Sequence, residues 1–408
     1  MLLNKTKLIP NQTIQITGSK SESNRLLILK QLFEGIEIKN ISNAQDTYLL
    51  QKALSEASEV VDIHHAGTAM RFLTSYFAIQ PEKEVVLTGS ERMKQRPIQP
   101  LVDALRALGA DIQYMENEGF PPLKIRGEEI EKNHVKISAH ISSQFITSLL
   151  LIGGKLKNGL EVELLGEITS RPYLEMTLAL LKEIGVENSF VGNTIWIQNF
   201  SDEKNNFNKT LYVESDWSSA SYFYSLVAIG REPIRLRTFK KNSLQGDHII
   251  SEIYEEIFGV ETRFSENEVL LFPKKDFQFP PTIELNMNNC PDIAQTIAVT
   301  ATALKIPFHI IGLATLKVKE TDRLVALQNE LEKIGMRTEI TGESITSTAF
   351  VAPQSTISIA TYNDHRMAMS FAPYALVGTI DIQNSEVVEK SYPNFWEDFD
   401  SVTFKNTQ

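Results

Sequence analysis

Cysteine is almost absent: Cys290 is the single one in 408 residues. That excludes a disulfide framework within the chain and a cysteine-rich metal centre, and it suits a reducing compartment. Positive charge is short as well, with 40 Lys and Arg against 51 Asp and Glu and a formal net charge of −11. This balance argues against nucleic acid or an anionic membrane as the main partner. There is no low-complexity run, and apolar stretches such as Phe145–Ile152 stop well short of a membrane span. Met1–Pro10 has neither an apolar signal core nor Arg/Ser-rich transit character, so a cytoplasmic protein is expected. The seven histidines show no metal-ligand spacing, and no metal is expected.

What is present is a repeated pattern. Six helices are apolar nearly all round, as helices buried in a core are: Ser23–Phe33, Thr68–Ala78, Ser143–Ile152, Ser218–Ile229, Asp292–Leu304 and His365–Leu376. From the second on they begin roughly 70–75 residues apart, the signature of an internal repeat. Charged-faced helices alternate with them and stop at glycine, as at Leu101–Leu108 before Gly109 and Leu324–Ile334 before Gly335. Short β-branched strands lie between, among them Glu84–Leu87, Leu160–Leu164, Ile234–Leu236, Phe308–Ile311 and Ile380–Ile382. The fold class expected is α/β (α+β): two similar domains, each of three β-α-β-α-β-β repeats, joined by a hinge of two crossings. The polar stretch Asp202–Lys209 reads as a loop. Domain limits are placed at 18–214 for the N-terminal half, with 1–17 and 215–408 forming the other.

The starts of the buried helices hold the chemistry. The first, Gly18-Ser19-Lys20-Ser21-Glu22-Ser23-Asn24-Arg25, joins a strand at Thr13–Thr17 to a helix through a glycine, three serines and two cations. Free amides at a helix start, with small hydroxyls beside them, hold oxyanions. It is not a Walker A loop, since Gly18 is followed by Ser-Lys. Gly67-Thr68, Ser142-Ser143-Gln144, Asp216, Asp292 and Asp364 occupy the other starts, where Ser, Thr and Asp are also ordinary caps worth ~1 kcal/mol each. Arg25, Arg71 and Arg366 sit in first turns, against the helix dipole, and a bound anion would reconcile them with it. Two further basic stretches precede helices, Arg92–Pro97 and Lys317–Arg323, the second of which also fits ion pairing on a solvated helix.

Taken in order, GSKSESNR, AGTAMR, RMKQRPIQPLVDAL, SSQF, SRPY, KVKETDRL, YNDHRMAM and EKSYPNFW resemble the EPSP synthase family of enolpyruvyl transferases, over about Gly18 to Phe395. The resemblance implies two domains of three repeats closing on substrate, and transfer of the enolpyruvyl group of phosphoenolpyruvate to the 5-hydroxyl of shikimate 3-phosphate with release of phosphate. It assigns shikimate 3-phosphate to Lys20, Ser21, Arg25, Ser142, Ser143, Gln144, Ser170, Tyr173, Asp292, Thr315 and Lys319. Phosphoenolpyruvate falls to Lys20, Gly67, Arg96, Gln144, Arg323, Arg366 and Lys390. The catalytic set implied is Asp292 as base on the 5-hydroxyl, Glu320 for the proton at the methylene carbon, Lys20, and His365 in support of Glu320 or the phosphate. No cofactor is implied, and the partners are the two small substrates, with a monomer expected.

The chain departs from the family pattern at His64 and His65, where Gly and Asn are usual, at Gln95 in place of an acid, and at Thr315 in place of Asn. Two other readings stand beside this one. A UDP-N-acetylglucosamine 1-carboxyvinyltransferase shares fold and chemistry but generally carries a reactive cysteine in the loop equivalent to Gly89–Pro97, which has none. A repeat-built nucleic-acid clamp is disfavoured by the acidic charge.

Overall fold

A computed structural model describes residues 1–56, 58–140, 142–200 and 208–405. The chain divides into two compact units, one made of Met1–Thr17 with Glu214–Gln408 and the other of Gly18–Val213. Glu214, placed from sequence at the end of the N-terminal half, belongs with the residues after it. Its carboxylate accepts bonds from Trp217 Nε1 (2.8 Å), Lys240 N (2.8 Å) and Ser243 Oγ (2.5 Å). The loop expected at 202–209 lies outside the described residues up to 207.

In the Gly18–Val213 unit, the buried helices are Lys20–Leu32, Gly67–Ala78 and Ser143–Gly153. They have no polar face because neighbours surround them; in the last, Phe145 to Gly153 are all buried. Each Leu or Ile so enclosed is worth roughly 1.5–3 kcal/mol, which is what holds a helix in a position no amphipathic helix could occupy. Ser75 and Ser148 meet at 2.6 Å where two of these helices touch. Two four-stranded sheets cover them. In one, Val60–Asp62 runs parallel to Glu84–Thr88, and Leu123–Arg126 and Asp111–Tyr114 follow antiparallel. His134–Ser138, Leu160–Leu165, Thr194–Ile197 and Asn188–Val191 repeat that order.

The other unit is built alike around the buried helices Trp217–Gly230, Ala294–Ala303 and His365–Phe371. Ser221, Thr296 and Ser370, one from each, meet at 3.1 and 3.2 Å. The hydroxyls satisfy one another there, so small residues bring three helices together without leaving a buried polar group unpaired. The N-terminal segment belongs to this unit: Gln12–Ile14 pairs parallel with Ile234–Arg237, and Leu2–Leu3 antiparallel with Ile380–Ile382.

The β-α-β-α-β-β unit is complete in four of the six repeats. Among the described residues the first has only the pair Ile36–Lys39 and Lys209–Tyr212, and the last pairs with the N-terminal strands. Helix limits also shift. The first helix begins at Lys20 with Ser19 as its cap, so Lys20 and Ser21 are in its first turn. The helix expected at Leu101–Leu108 begins two residues earlier, at Gln99, with Glu91–Lys94 forming a separate short helix. Gly109 and Gly335 close their helices at φ 119° and 108°, values only glycine adopts readily.

Candidate active site

In the unit containing Glu214–Gln408, the end of one repeat's helix and the starts of two others converge on Arg323. This residue opens the helix Arg323–Lys333, which Asp322 caps by accepting from Leu324 N and Val325 N at 3.1 and 3.2 Å. Its guanidinium is 2% exposed and bonded on every side by carboxylates. Nε reaches Asp364 at 2.6 Å, one terminal nitrogen reaches Asp292 at 2.9 Å, and the other reaches Glu320 at 2.8 Å. A planar fork of donors is the side chain that can hold three carboxylates apart in fixed directions. Each of the outer two has a second cation: Lys319 Nζ lies 3.2 Å from Asp292, and Lys390 Nζ lies 2.7 Å from Glu320. Arg366 completes the cluster, 3.4 Å from the other oxygen of Asp292 and 3.3 Å from Ser218 Oγ. Asp364 caps the last buried helix through Arg366 N at 2.9 Å, and His365 Nδ1 is 3.8 Å from the same carboxylate.

The charges shape one another. Burial alone would push the Asp292 carboxyl up, yet Lys319, Arg366 and Arg323 outweigh it and hold it well below the usual carboxylate range. Lys319 is pushed down by burial despite Asp292. Arg323 is pushed up, because Asp364, Glu320 and Asp292 overcome its burial. Cys290 is raised by burial and by Asp247 and Asp292, so the thiol stays protonated and is no nucleophile.

Asp247 is the exception among these carboxylates. Burial pushes it up to about 6 against the pull of Arg366, and it holds Ser218 Oγ by a short bond. A folded-state value above the ordinary 3.8 means that ionisation costs stability, a cost absent well below pH 4 and complete above about pH 6. Asp247→Asn is therefore expected to stabilise the chain by ~1–3 kcal/mol near pH 8 and hardly at all near pH 4. Melting temperatures of both proteins at the two pH values test this; equal differences at both would refute it.

In the Gly18–Val213 unit the corresponding feature is the start of the Gly67–Ala78 helix. Its N-cap residue is Ala66, with no side-chain cap bond, so its first amides are left for another acceptor. The Arg96 guanidinium lies against Gly67, where a Cβ would collide with it. Arg96 is 7% exposed, and its Nε has no hydrogen-bond partner among the described residues. A buried guanidinium beside uncapped helix amides is chemically suited to an anion. Gln144 Nε2 donates to Thr68 Oγ1 in the same turn, at 3.3 Å, and Ser142 caps the next buried helix through Gln144 N at 3.3 Å. Lys20 Nζ is 3.2 Å from Asp46, in the helix Gln45–Ser55, whose other oxygen is 3.6 Å from His65 Nε2. Gly18 is required for another reason: a side chain there would collide with the Asn40 carbonyl.

Arg25 and Arg71 find protein carbonyls as acceptors beside their helix starts, without a bound anion. Arg25 donates to Ser21 O at 2.7 Å, Tyr173 O at 3.3 Å and Thr177 Oγ1 at 2.8 Å, and lies 5.7 Å from the ring centroids of Phe72 and Tyr173. Arg71 repeats this with Gly67 O at 3.2 Å and Pro97 O at 3.0 Å. Both turn back along the helix because a carbonyl one turn earlier is the nearest acceptor. Burial then pulls Arg25 down to about 10. Ser170 stands in the left-handed region, φ 53°, just before the helix Arg171–Glu183, and is buried; Ser143 opens its own helix and Thr315 lies in a 3-10 turn.

Sequence reasoning passed over Asp46 and Asp247 and read Ser218 only as a helix start; Asp46 reads as an ordinary acid in a first helical turn. Among the described residues no group of His, Cys, Asp and Glu is arranged to hold a metal, and no helix is long and apolar enough to cross a membrane.

Comparison with known proteins agrees on one family. A family model described as EPSP synthase (3-phosphoshikimate 1-carboxyvinyltransferase) matches residues 50–399. A 3-phosphoshikimate 1-carboxyvinyltransferase of Bacteroides fragilis is 44% identical, covering 96% of this chain and 95% of the relative. One of Haemophilus influenzae is 38% identical, over 97% of each. Among solved structures, EPSP synthase from Acinetobacter baumannii superposes with a TM-score of 0.73 at 20% identity, covering 98% of this chain and 97% of that one. The enolpyruvyl transferase NikO from Streptomyces tendae gives 0.74 at 13% identity, with the same coverage.

Proposed function

Because the chain belongs to the EPSP synthase family, we propose that the Arg323 cluster and the Gly67 helix start are its catalytic and anion-binding groups. The enzyme transfers the enolpyruvyl group of phosphoenolpyruvate to the 5-hydroxyl of shikimate 3-phosphate and releases phosphate, a step of aromatic amino-acid biosynthesis. The observation that carries the residue assignment is one buried guanidinium holding two different carboxylates, Asp292 at 2.9 Å and Glu320 at 2.8 Å, each backed by its own lysine.

The chemistry needs that division. Addition forms a bond from the 5-oxygen to the central carbon of phosphoenolpyruvate, while the methylene carbon gains a proton and the hydroxyl loses one. Elimination removes a proton from the new methyl group as the carbon–phosphate oxygen bond breaks. Two carboxylates in different environments divide this work. Asp292, kept ionised by Lys319, Arg366 and Arg323, takes the hydroxyl proton. Glu320, bonded to Lys390 and Arg323, serves the methylene carbon, with His365 beside Asp364 in support.

Both substrates carry a phosphate and a carboxylate, and like charges brought together need cations to offset them. Lys20, Gly67, Arg96, Gln144, Arg323, Arg366 and Lys390 are assigned to phosphoenolpyruvate. Lys20, Ser21, Arg25, Ser142, Ser143, Gln144, Ser170, Tyr173, Asp292, Thr315 and Lys319 are assigned to shikimate 3-phosphate. Arg25 also fixes the carbonyls of Ser21 and Tyr173. We take the enzyme to be a cytoplasmic monomer.

Phosphate release from phosphoenolpyruvate is the direct test. It should depend on shikimate 3-phosphate, and release at the same rate without it would overturn the reading. In a separate measurement, shikimate 3-phosphate should raise the melting temperature, while UDP-N-acetylglucosamine and single-stranded DNA leave it unchanged. A rise with DNA alone would point to the clamp reading instead.

A further inference from the structure

Two histidines precede the Gly67 helix start, and their rings are paired. Nδ1 of His64 lies 2.6 Å from Nδ1 of His65, with the rings edge to face. Two ring nitrogens so close need one proton between them, since two lone pairs or two N–H groups would repel. On its far side His65 Nε2 is 3.6 Å from Asp46 Oδ1, and Asp46 Oδ2 is 3.2 Å from Lys20 Nζ. Asp46 is buried, so its charge is felt by both partners. Four titratable groups therefore run in a line from the exposed His64 to Lys20.

The backbone supports this arrangement. His64 is in the left-handed region, φ 48°, unusual for a residue other than glycine. It is fixed there by Asp62 Oδ1, which accepts from His64 N at 2.7 Å, and by Ser90 N, which donates to His64 O at 2.8 Å. Charged groups near the pair among the described residues include Asp46 and through it Lys20, Asp62 under His64, and Arg96 against Gly67. Gly89 and Ser90, which close on the His64 carbonyl, bring no charge.

We propose that His64 and His65 form a proton-sharing pair that sets how much of the Lys20 charge is offered to an anionic substrate. This rests on the assignment of Lys20 to substrate made above. In the neutral pair His64 donates through Nδ1, His65 accepts, and the Nε2–H of His65 faces Asp46. One added proton gives an imidazole–imidazolium pair whose positive outer N–H also faces Asp46. The carboxylate is then shared between two cations, and Lys20 is less compensated. A second proton would set two N–H groups against each other across the 2.6 Å contact. Anion binding at Lys20 is consequently tighter on the acid side. His65 acts through Asp46, as a positioning residue.

Inorganic sulfate is the probe, because its charge does not change between about pH 5.5 and 8.5, whereas that of phosphoenolpyruvate does. Calorimetric sulfate affinity of the full chain should fall over that range roughly fivefold more than that of His65→Asn or His64→Gln, the effect of one charge acting at about 8 Å through partly hydrated protein. Lys20→Met should lose the pH-dependent part. Nitrogen NMR of the ring pair should show one coupled proton uptake. Equal slopes in all proteins, a slope that survives Lys20→Met, or two independent histidine titrations would each overturn the proposal. Failure of the enzyme reading would look different: no phosphate release with both substrates present, whatever the sulfate slopes.

Discussion

Asp292→Ala or Glu320→Ala should lower turnover by ~100-fold or more while the chain stays folded. The two losses have different origins. Asp292 is ionised at any ordinary pH, with one oxygen bonded to Arg323 and Lys319 and the other near Arg366. A carboxylate held so tightly is a feeble base. The cations that hold it, however, are those assigned to substrate phosphate and carboxylate groups. Anions arriving at Arg323, Arg366 and Lys319 share that positive charge, loosen its grip on Asp292 and raise its basicity. The base is thus strengthened by the substrates it serves, and Asp292→Asn, which keeps the shape and one accepting oxygen but cannot take a proton, should be nearly as slow as the alanine variant. Glu320 accepts from Lys390 at 2.7 Å and from Arg323 at 2.8 Å, and its removal takes that acceptor from both cations. Phosphate release measured beside a thermal melt separates lost chemistry from lost fold. Near-normal turnover in either alanine variant would remove that residue from the mechanism.

Much of this was legible in the sequence, for physical reasons. Helices apolar on all sides can sit only in a core, so the six of them and their spacing announced the repeat. Glycine stops such as Gly109 and Gly335 marked helix ends because φ values of 119° and 108° demand that residue. What could not be read was the partner of each charge. Arg25 and Arg71 look like ligand-binding cations, since a sequence shows the clash with the helix dipole but not the carbonyls of Ser21, Gly67, Tyr173 and Pro97 that resolve it. Asp247 is 29 residues from the Ser218 that it holds, and Asp46 is 26 from Lys20; pairs of that kind are made by packing. The incomplete first and last repeats escaped notice because local pattern records strands but not how they pair.

Arg323→Ala should be the most destabilising single change in this cluster. It leaves Asp364, fully buried, and the partly buried Asp292 and Glu320 without the group that separates them. Removing one partner from a buried ion cluster costs ~3–5 kcal/mol, because the remaining charges stay desolvated. Lys319, Arg366 and Lys390 reduce the effect at Asp292 and Glu320, so the largest share falls on Asp364, which gives up its 2.6 Å bond while still capping Arg366 N. Arg323→Lys should recover only part, since an ammonium is a single point and cannot reach three carboxylates in three directions. The pH dependence identifies the cause. In the native protein Asp292 is held below its ordinary value of 3.8, so it contributes stability above that pH and loses the contribution as the pH falls further. In Arg323→Ala the carboxylates repel, their protonation is favoured, and acid relieves the strain. The stability gap between the two proteins should therefore be widest near pH 7 and narrow towards pH 4. Denaturant midpoints measured across that range decide the matter, and a gap that stays constant would mean that Arg323 stabilises this unit by packing and not by charge.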